Sequence, residues 1–177
     1  MRIITVNLMN DNYTYDLTYP IIKSLQRKYH IRYSSILEAS SQLELIVAAT
    51  RGNLNGKKIL DLGCGTDPPI DTNYFGLPFK PNLCRLLHEL KASPIGIDLG
   101  NLDNEEFEHY YVDLMEKDSL RFLPDSSIEV AIAIDLFTSP VFEEQYGIKT
   151  GKRLEENLLL QLERIVRPEG YFIHNGK

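Results

Sequence analysis

Lys57-Lys58-Ile59-Leu60-Asp61-Leu62-Gly63-Cys64-Gly65-Thr66 is the stretch that decides the fold. An apolar run ends in an acid, and two glycines follow with one residue between them. A buried parallel strand reads this way where it enters a tight turn that must let another group approach the backbone closely. Glycine tolerates positive φ and brings no Cβ to that approach. Open α/β sheets bind ligands at the carboxyl ends of their strands, where Asp61 falls.

Outward from this turn, the chain divides into two parts. Residues 1–55 are expected to be an N-terminal helical segment, a lid or a packing element. Leu17, Ile21, Ile22 and Leu25 recur at helical spacing, and a second helix is expected from about Ser35 to Ala49. Tyr13, Tyr15 and Tyr19 lie at the start of the first helix, where they either pack or close over a ligand. Residues 56–177 alternate short apolar strands with helices, which predicts a parallel sheet with crossover helices. The strands expected after Lys58–Leu62 are Ile95–Leu99, a third near His109–Val112, Ile128–Ile134 and Tyr171–His174. A helix begins near Pro81, with Leu83, Leu86, Leu87 and Leu90 on one face. Another carries Leu154, Leu158, Leu162 and Ile165. The fold class is therefore α/β: a doubly wound, Rossmann-like parallel sheet of five strands, C-terminally short, with N-terminal helices.

Acids follow three successive strands: Asp61, Asp98 and Asp113. In a doubly wound sheet these ends line one crevice. The two oxygens of Asp98 can accept both hydroxyls of an adenosine ribose. Asp113 can accept from an exocyclic amine, and Asp61 can organise the glycine turn and the amino-acid end of a ligand. A dinucleotide site fits poorly. Pro68 stands where its fingerprint wants a third glycine, and Asp98 lies 37 residues past Asp61 rather than about 20. Pro68 and Pro69 also remove amides that a pyrophosphate would use.

Five segments in order resemble the motifs of the class I S-adenosylmethionine-dependent methyltransferases. Ile59–Thr66 is similar to the first and Ile95-Gly96-Ile97-Asp98 to the second, whose acid binds ribose. Val112-Asp113-Leu114 is similar to the third, whose acid binds the adenine amine. Ser127–Phe137 resembles the fourth strand and the loop beneath the reactive methyl group. Leu162–Tyr171 resembles the helix, proline-glycine turn and fifth strand. The resemblance covers roughly residues 56–177 and implies S-adenosylmethionine as cofactor. It implies Asp61, Gly63, Cys64, Gly65, Asp98, Leu99, Asp113, Leu114 and Asp135 as its contacts, with Asp135 also the candidate catalytic base. The chain departs from the family in three ways. Asp67 stands where many members have another glycine, the insertion before Pro81 is long, and the sheet's terminal antiparallel pair is missing. The rival reading is a non-catalytic module that retains the cofactor crevice for binding or interaction.

The 177 residues carry a net charge of -6, and no basic stripe suggests a nucleic-acid face, so bulk nucleic-acid binding is disfavoured. A small-molecule methyl acceptor is favoured. No run is apolar enough to span a bilayer, and the N-terminus lacks the pattern of a signal peptide, which points to a cytoplasmic protein. Cys64 and Cys84 form no metal cluster and read as reduced, small apolar residues. The Tyr171–His174 strand is expected at an edge of the family's sheet. Either self-association or an added strand from Arg2–Leu8 would cover it, and the second is preferred because it needs no partner.

Overall fold

The computed structural model describes residues 1–5, 15–30, 33–67, 79–137 and 150–175. The sheet strands are β1 (Arg2–Thr5), β2 (Lys58–Leu62), β3 (Ser93–Asp98), β4 (Glu108–Tyr111), β5 (Ile128–Ala133) and β6 (Val166–His174). All pair in parallel, in the order β1-β6-β5-β2-β3-β4. Among the described residues the helices are α1 (Tyr15–Tyr29), α2 (Tyr33–Thr50), α3 (Asn82–Glu89) and α4 (Thr150–Ile165). None is long and apolar enough to cross a membrane.

Side chains of a strand alternate between faces, and both faces here are apolar because helices cover both. Ile59, Val130, Ile132 and Ile173 meet Leu25, Leu43, Ile46, Leu83 and Leu87 of α1, α2 and α3. Leu60, Leu62, Ala131, Ala133 and Phe172 meet Leu154, Leu158, Leu162 and Ile165 of α4. Those four α4 residues are fully buried, at steps of four, four and three. Each contributes about 1.5–3 kcal/mol by leaving water, so the stripe rather than helix propensity holds α4 on the sheet. Asp61 shares the face of Ile59 by the same alternation, which puts its carboxyl on the α1–α3 side.

The sheet has six strands, not the five expected from residues 56–177. The sixth is β1, whose register runs from Arg2 opposite Tyr171 to Thr5 opposite His174. This is the N-terminal cover preferred for the β6 edge. Two β-branched isoleucines suit a pleated strand, and the Met1 ammonium donates to the Pro168 carbonyl at 2.9 Å. Arg167-Pro168-Glu169-Gly170, read as a turn, lies inside β6. There the ladder with β5 breaks register: Ile128 faces Val166, and Val130 already faces Tyr171. Residues 167–169 bulge out and are exposed.

The chain runs outward from β2 through β3 to β4, then returns to the other side of β2 for β5 and β6. The topological switch point therefore lies between β2 and β5, beside the glycine turn. The expected lid around Tyr13–Tyr19 falls partly outside the described residues, as do the Pro68–Pro78 insertion and Ser139-Pro140.

Candidate functional site

The glycine turn is built from its own amides. Gly63 and Cys64 N–H both donate to the Ile97 carbonyl, at 2.8 and 3.1 Å. Gly65 N–H donates to Asp98 Oδ2 at 2.8 Å. Gly63 and Gly65 have φ of 72° and 84°, a region that L side chains rarely adopt. A Cβ on Gly65 would stand 2.8 Å from the Phe79 oxygen and the Lys80 carbonyl carbon. The close neighbour that this glycine admits is thus the protein's own backbone just before α3. At Gly63 the neighbour is the Leu136 side chain, at 2.9 Å.

The three predicted acids do end adjacent parallel strands, or directly follow them, on one edge of the sheet. Asp98 ties the turn to β3: besides the Gly65 amide it accepts Leu99 N–H on Oδ1 at 2.7 Å. A carboxylate offers about four lone-pair sites, and these two bonds take one on each oxygen. Asp113, just past β4, is half-buried and accepts Met115 N–H at 2.8 Å. Asp61 is buried. Desolvation there raises its pKa from 3.8 to about 7; a bond from Cys84 Sγ, at 3.5 Å, opposes the rise and the Asp98 charge adds to it. Asp61 borders a cavity of about 30 Å³ together with Gln42, Asn82, Lys80 and Leu83. That is space for a water-sized group or two. Asn82 Oδ1, also buried, has no hydrogen-bond partner among the described residues. The Lys80 ammonium pairs with Asp67 at 2.9 Å.

Cys64 and Leu114 face inward. Cys64 packs with Cys84, Leu102 and Phe107 around Gly96, where a Cβ would meet both the Cys64 sulfur and the Phe107 ring. Burial pushes the Cys64 thiol up to about 11 and Cys84 well above its ordinary value, so neither is a thiolate nucleophile. Leu114 lies in the core on the α4 side. Asp135, two residues past β5, adopts left-handed backbone with φ of 60°. Asn175 holds it there: Asp135 N–H donates to Asn175 Oδ1 at 2.8 Å, and Asn175 Nδ2 donates to Asp135 Oδ1 at 2.5 Å. Strained backbone of this kind clusters at functional sites.

Two groups escaped sequence reasoning. Arg85 is buried and donates from Nε to Glu105 at 2.9 Å and from Nη2 to Asp67 at 2.9 Å, with a further short contact to Glu105. It links α3, the end of the glycine turn and the β3–β4 loop. Burial opposes the ionised form of Asp67, but bonds from Arg85 and Lys80 hold its carboxyl below the usual carboxylate range. Arg85 lies on the face of α3 opposite the Leu83, Leu86, Leu87 and Leu90 stripe, where an arginine reads as a solvated residue, so the sequence carried no signal of its burial. His174, at the end of β6, is buried beside Thr5 and Glu155; as the last residue of an expected strand, it carried no motif. Among the described residues no cluster could hold a metal ion.

No protein-family model matches the chain, and no curated protein is significantly similar to it.

Proposed function

We propose that this chain is an S-adenosylmethionine-dependent methyltransferase with a Rossmann-like fold, acting on a small-molecule acceptor. One observation carries the reading: Asp61, Asp98 and Asp113 sit at the carboxyl ends of three neighbouring parallel strands, and the glycine turn lies at the switch point. A nucleoside with a cationic amino-acid arm has matching groups. Asp98 would take the ribose hydroxyls and Asp113 the adenine amine. Asp61 and the unpartnered Asn82 oxygen are acceptors without a matched strong donor, and an ammonium supplies that donor. The cavity beside them suits only that end of the ligand.

When bound, the sulfonium supplies an electrophilic methyl group. The chain's own part is then to align the acceptor, exclude water and receive a proton where the acceptor carries one. Asp135 is the candidate base, fixed by Asn175 next to the switch point. Calorimetric titration with S-adenosylmethionine and its demethylated product tests the reading. Saturable binding of both, and none of a nicotinamide dinucleotide, is expected. Absence of binding by a folded chain overturns it.

The non-catalytic alternative is favoured by the self-satisfied turn. Asp98 already serves two amides, and Gly65 already serves Phe79 and Lys80. A module of that kind would bind the demethylated product as well as the methyl donor and turn neither over.

A further inference from the structure

Thr5, His174 and Glu155 meet at the carboxyl end of the outer strand pair β1–β6, on the far side of β5 from the glycine turn. His174 is 5 % exposed. Its Nε2 lies 3.2 Å from Thr5 Oγ1. Its Nδ1 is buried with no hydrogen-bond partner among the described residues and lies 3.7 Å from Glu155 Oε1. Phe172 stacks on the ring at 5.0 Å between centroids, and Phe137 meets it edge-on at 5.9 Å. These walls fix the ring plane and keep water from its faces. One tautomer serves both polar neighbours: the proton on Nδ1 faces the carboxylate, and the Nε2 lone pair accepts from the threonine hydroxyl. Thr5 itself is exposed, so its oxygen can meet a solute.

A strand-pinning role accounts for the contact between Thr5 and His174. It does not account for a carboxylate on a third element, α4, set against the buried Nδ1. A hydroxyl, an imidazole that can take its proton and a carboxylate that orients the imidazole make up the arrangement that activates a weak nucleophile, with contacts often loose before substrate binds. We propose that Thr5 is an acyl-accepting nucleophile, with His174 as its base and Glu155 as the residue that orients His174. The ligand class is a small activated ester. Thr5 Oγ attacks the acyl carbon, and its proton passes to His174 Nε2. The bond from the acyl carbon to the leaving oxygen then breaks, the leaving group departs with the electron pair, and the imidazolium proton passes to it or to bulk water, which returns His174 to the neutral form. An acyl-threonine ester results. Water deprotonated by the same imidazole attacks the acyl carbon, the bond to Thr5 Oγ breaks, the acid is released, and the imidazolium proton returns to Oγ. The inference uses none of the strand-end acids and stands apart from the methyl-transfer reading.

The test is acetylation of the full chain by 4-nitrophenyl acetate, with acid quench and peptide mapping to separate Thr5 from lysines and the N-terminus. Acetyl-Thr5 is expected in the wild type, with acetylation at the same position in Thr5→Ser and none there in the near-isosteric Thr5→Val. His174→Ala should slow labelling by about 100-fold or more and Glu155→Gln by about tenfold or more. Glu155 is partly exposed, so its variant keeps the test decisive if His174→Ala unfolds. A folded wild type without acetyl-Thr5, or equal labelling in Glu155→Gln, overturns the proposal.

Discussion

Replacing Asp61 by asparagine removes one ionisable proton and little else. The amide keeps the carboxyl's shape, and its oxygen can still accept from Cys84 Sγ. Burial, opposed by that bond and reinforced by the Asp98 charge, lifts the Asp61 pKa from 3.8 to about 7. Between these values the native protein holds a proton that the unfolded chain has released. Stability from this group is therefore fully present below about pH 4, declines as pH rises through 7 and is lost above it. The displacement corresponds to about 4 kcal/mol, a large share of a typical domain's stability. The amide of the variant does not titrate. Urea unfolding followed by far-UV circular dichroism, from pH 4.5 to 8.5, should show the variant gaining on the wild type by about 3 kcal/mol, the share of the displacement that falls in this window. Titrating groups that do not interact with Asp61 cancel in that difference. A difference flat to within about 1 kcal/mol, or a wild type more stable than the variant at pH 8.5, refutes the assignment of a buried, weakly compensated carboxyl. The same variant should bind the methyl donor more weakly, because an ionised Asp61 is what an ammonium seeks. Gain of stability with loss of binding is the expected trade at a strained site.

Gly65→Ala should lower stability by about 2 kcal/mol or more, since a Cβ meets the Phe79–Lys80 backbone at left-handed φ; a melting temperature within a degree of wild type would deny that contact. Arg85→Met should cost about 3–5 kcal/mol in urea unfolding because the buried Glu105 carboxyl loses its ion-pair partner. Adding Glu105→Met should restore much of it, and a strictly additive double variant would contradict the pairing. Asp98→Asn keeps one acceptor for the turn amides but loses the carboxylate for a ribose. Affinity for the demethylated product should drop about tenfold, or about 1.4 kcal/mol, and unchanged affinity would remove Asp98 from the ribose.

Legibility from the sequence followed the range of the forces involved. Lys58–Leu62 and Ile128–Ile134 are specified by continuous apolar runs and the α4 stripe by helical periodicity, each within a few residues, so the strand ends and the acids near them could be read directly. The N-terminal strand was a choice between two covers, because a short β-branched run such as Arg2–Leu8 does not name its partner at the far end of the chain. Tertiary structure decided that Arg2–Thr5 pairs with β6, completing the six strands. It also gave Gly65 a neighbour, since Phe79 and Lys80 return to the turn only after the chain has left it. Arg85, opposite the leucine stripe of α3, reads as an ordinary surface arginine until Asp67 and Glu105 converge on it. His174 became more than a strand terminus only beside Thr5 and Glu155. Backbone propensity and side-chain alternation act between neighbours in the chain and are written locally. Burial, charge pairing and a shifted pKa arise from groups that meet in space, and their partners are assigned only when the sheet assembles.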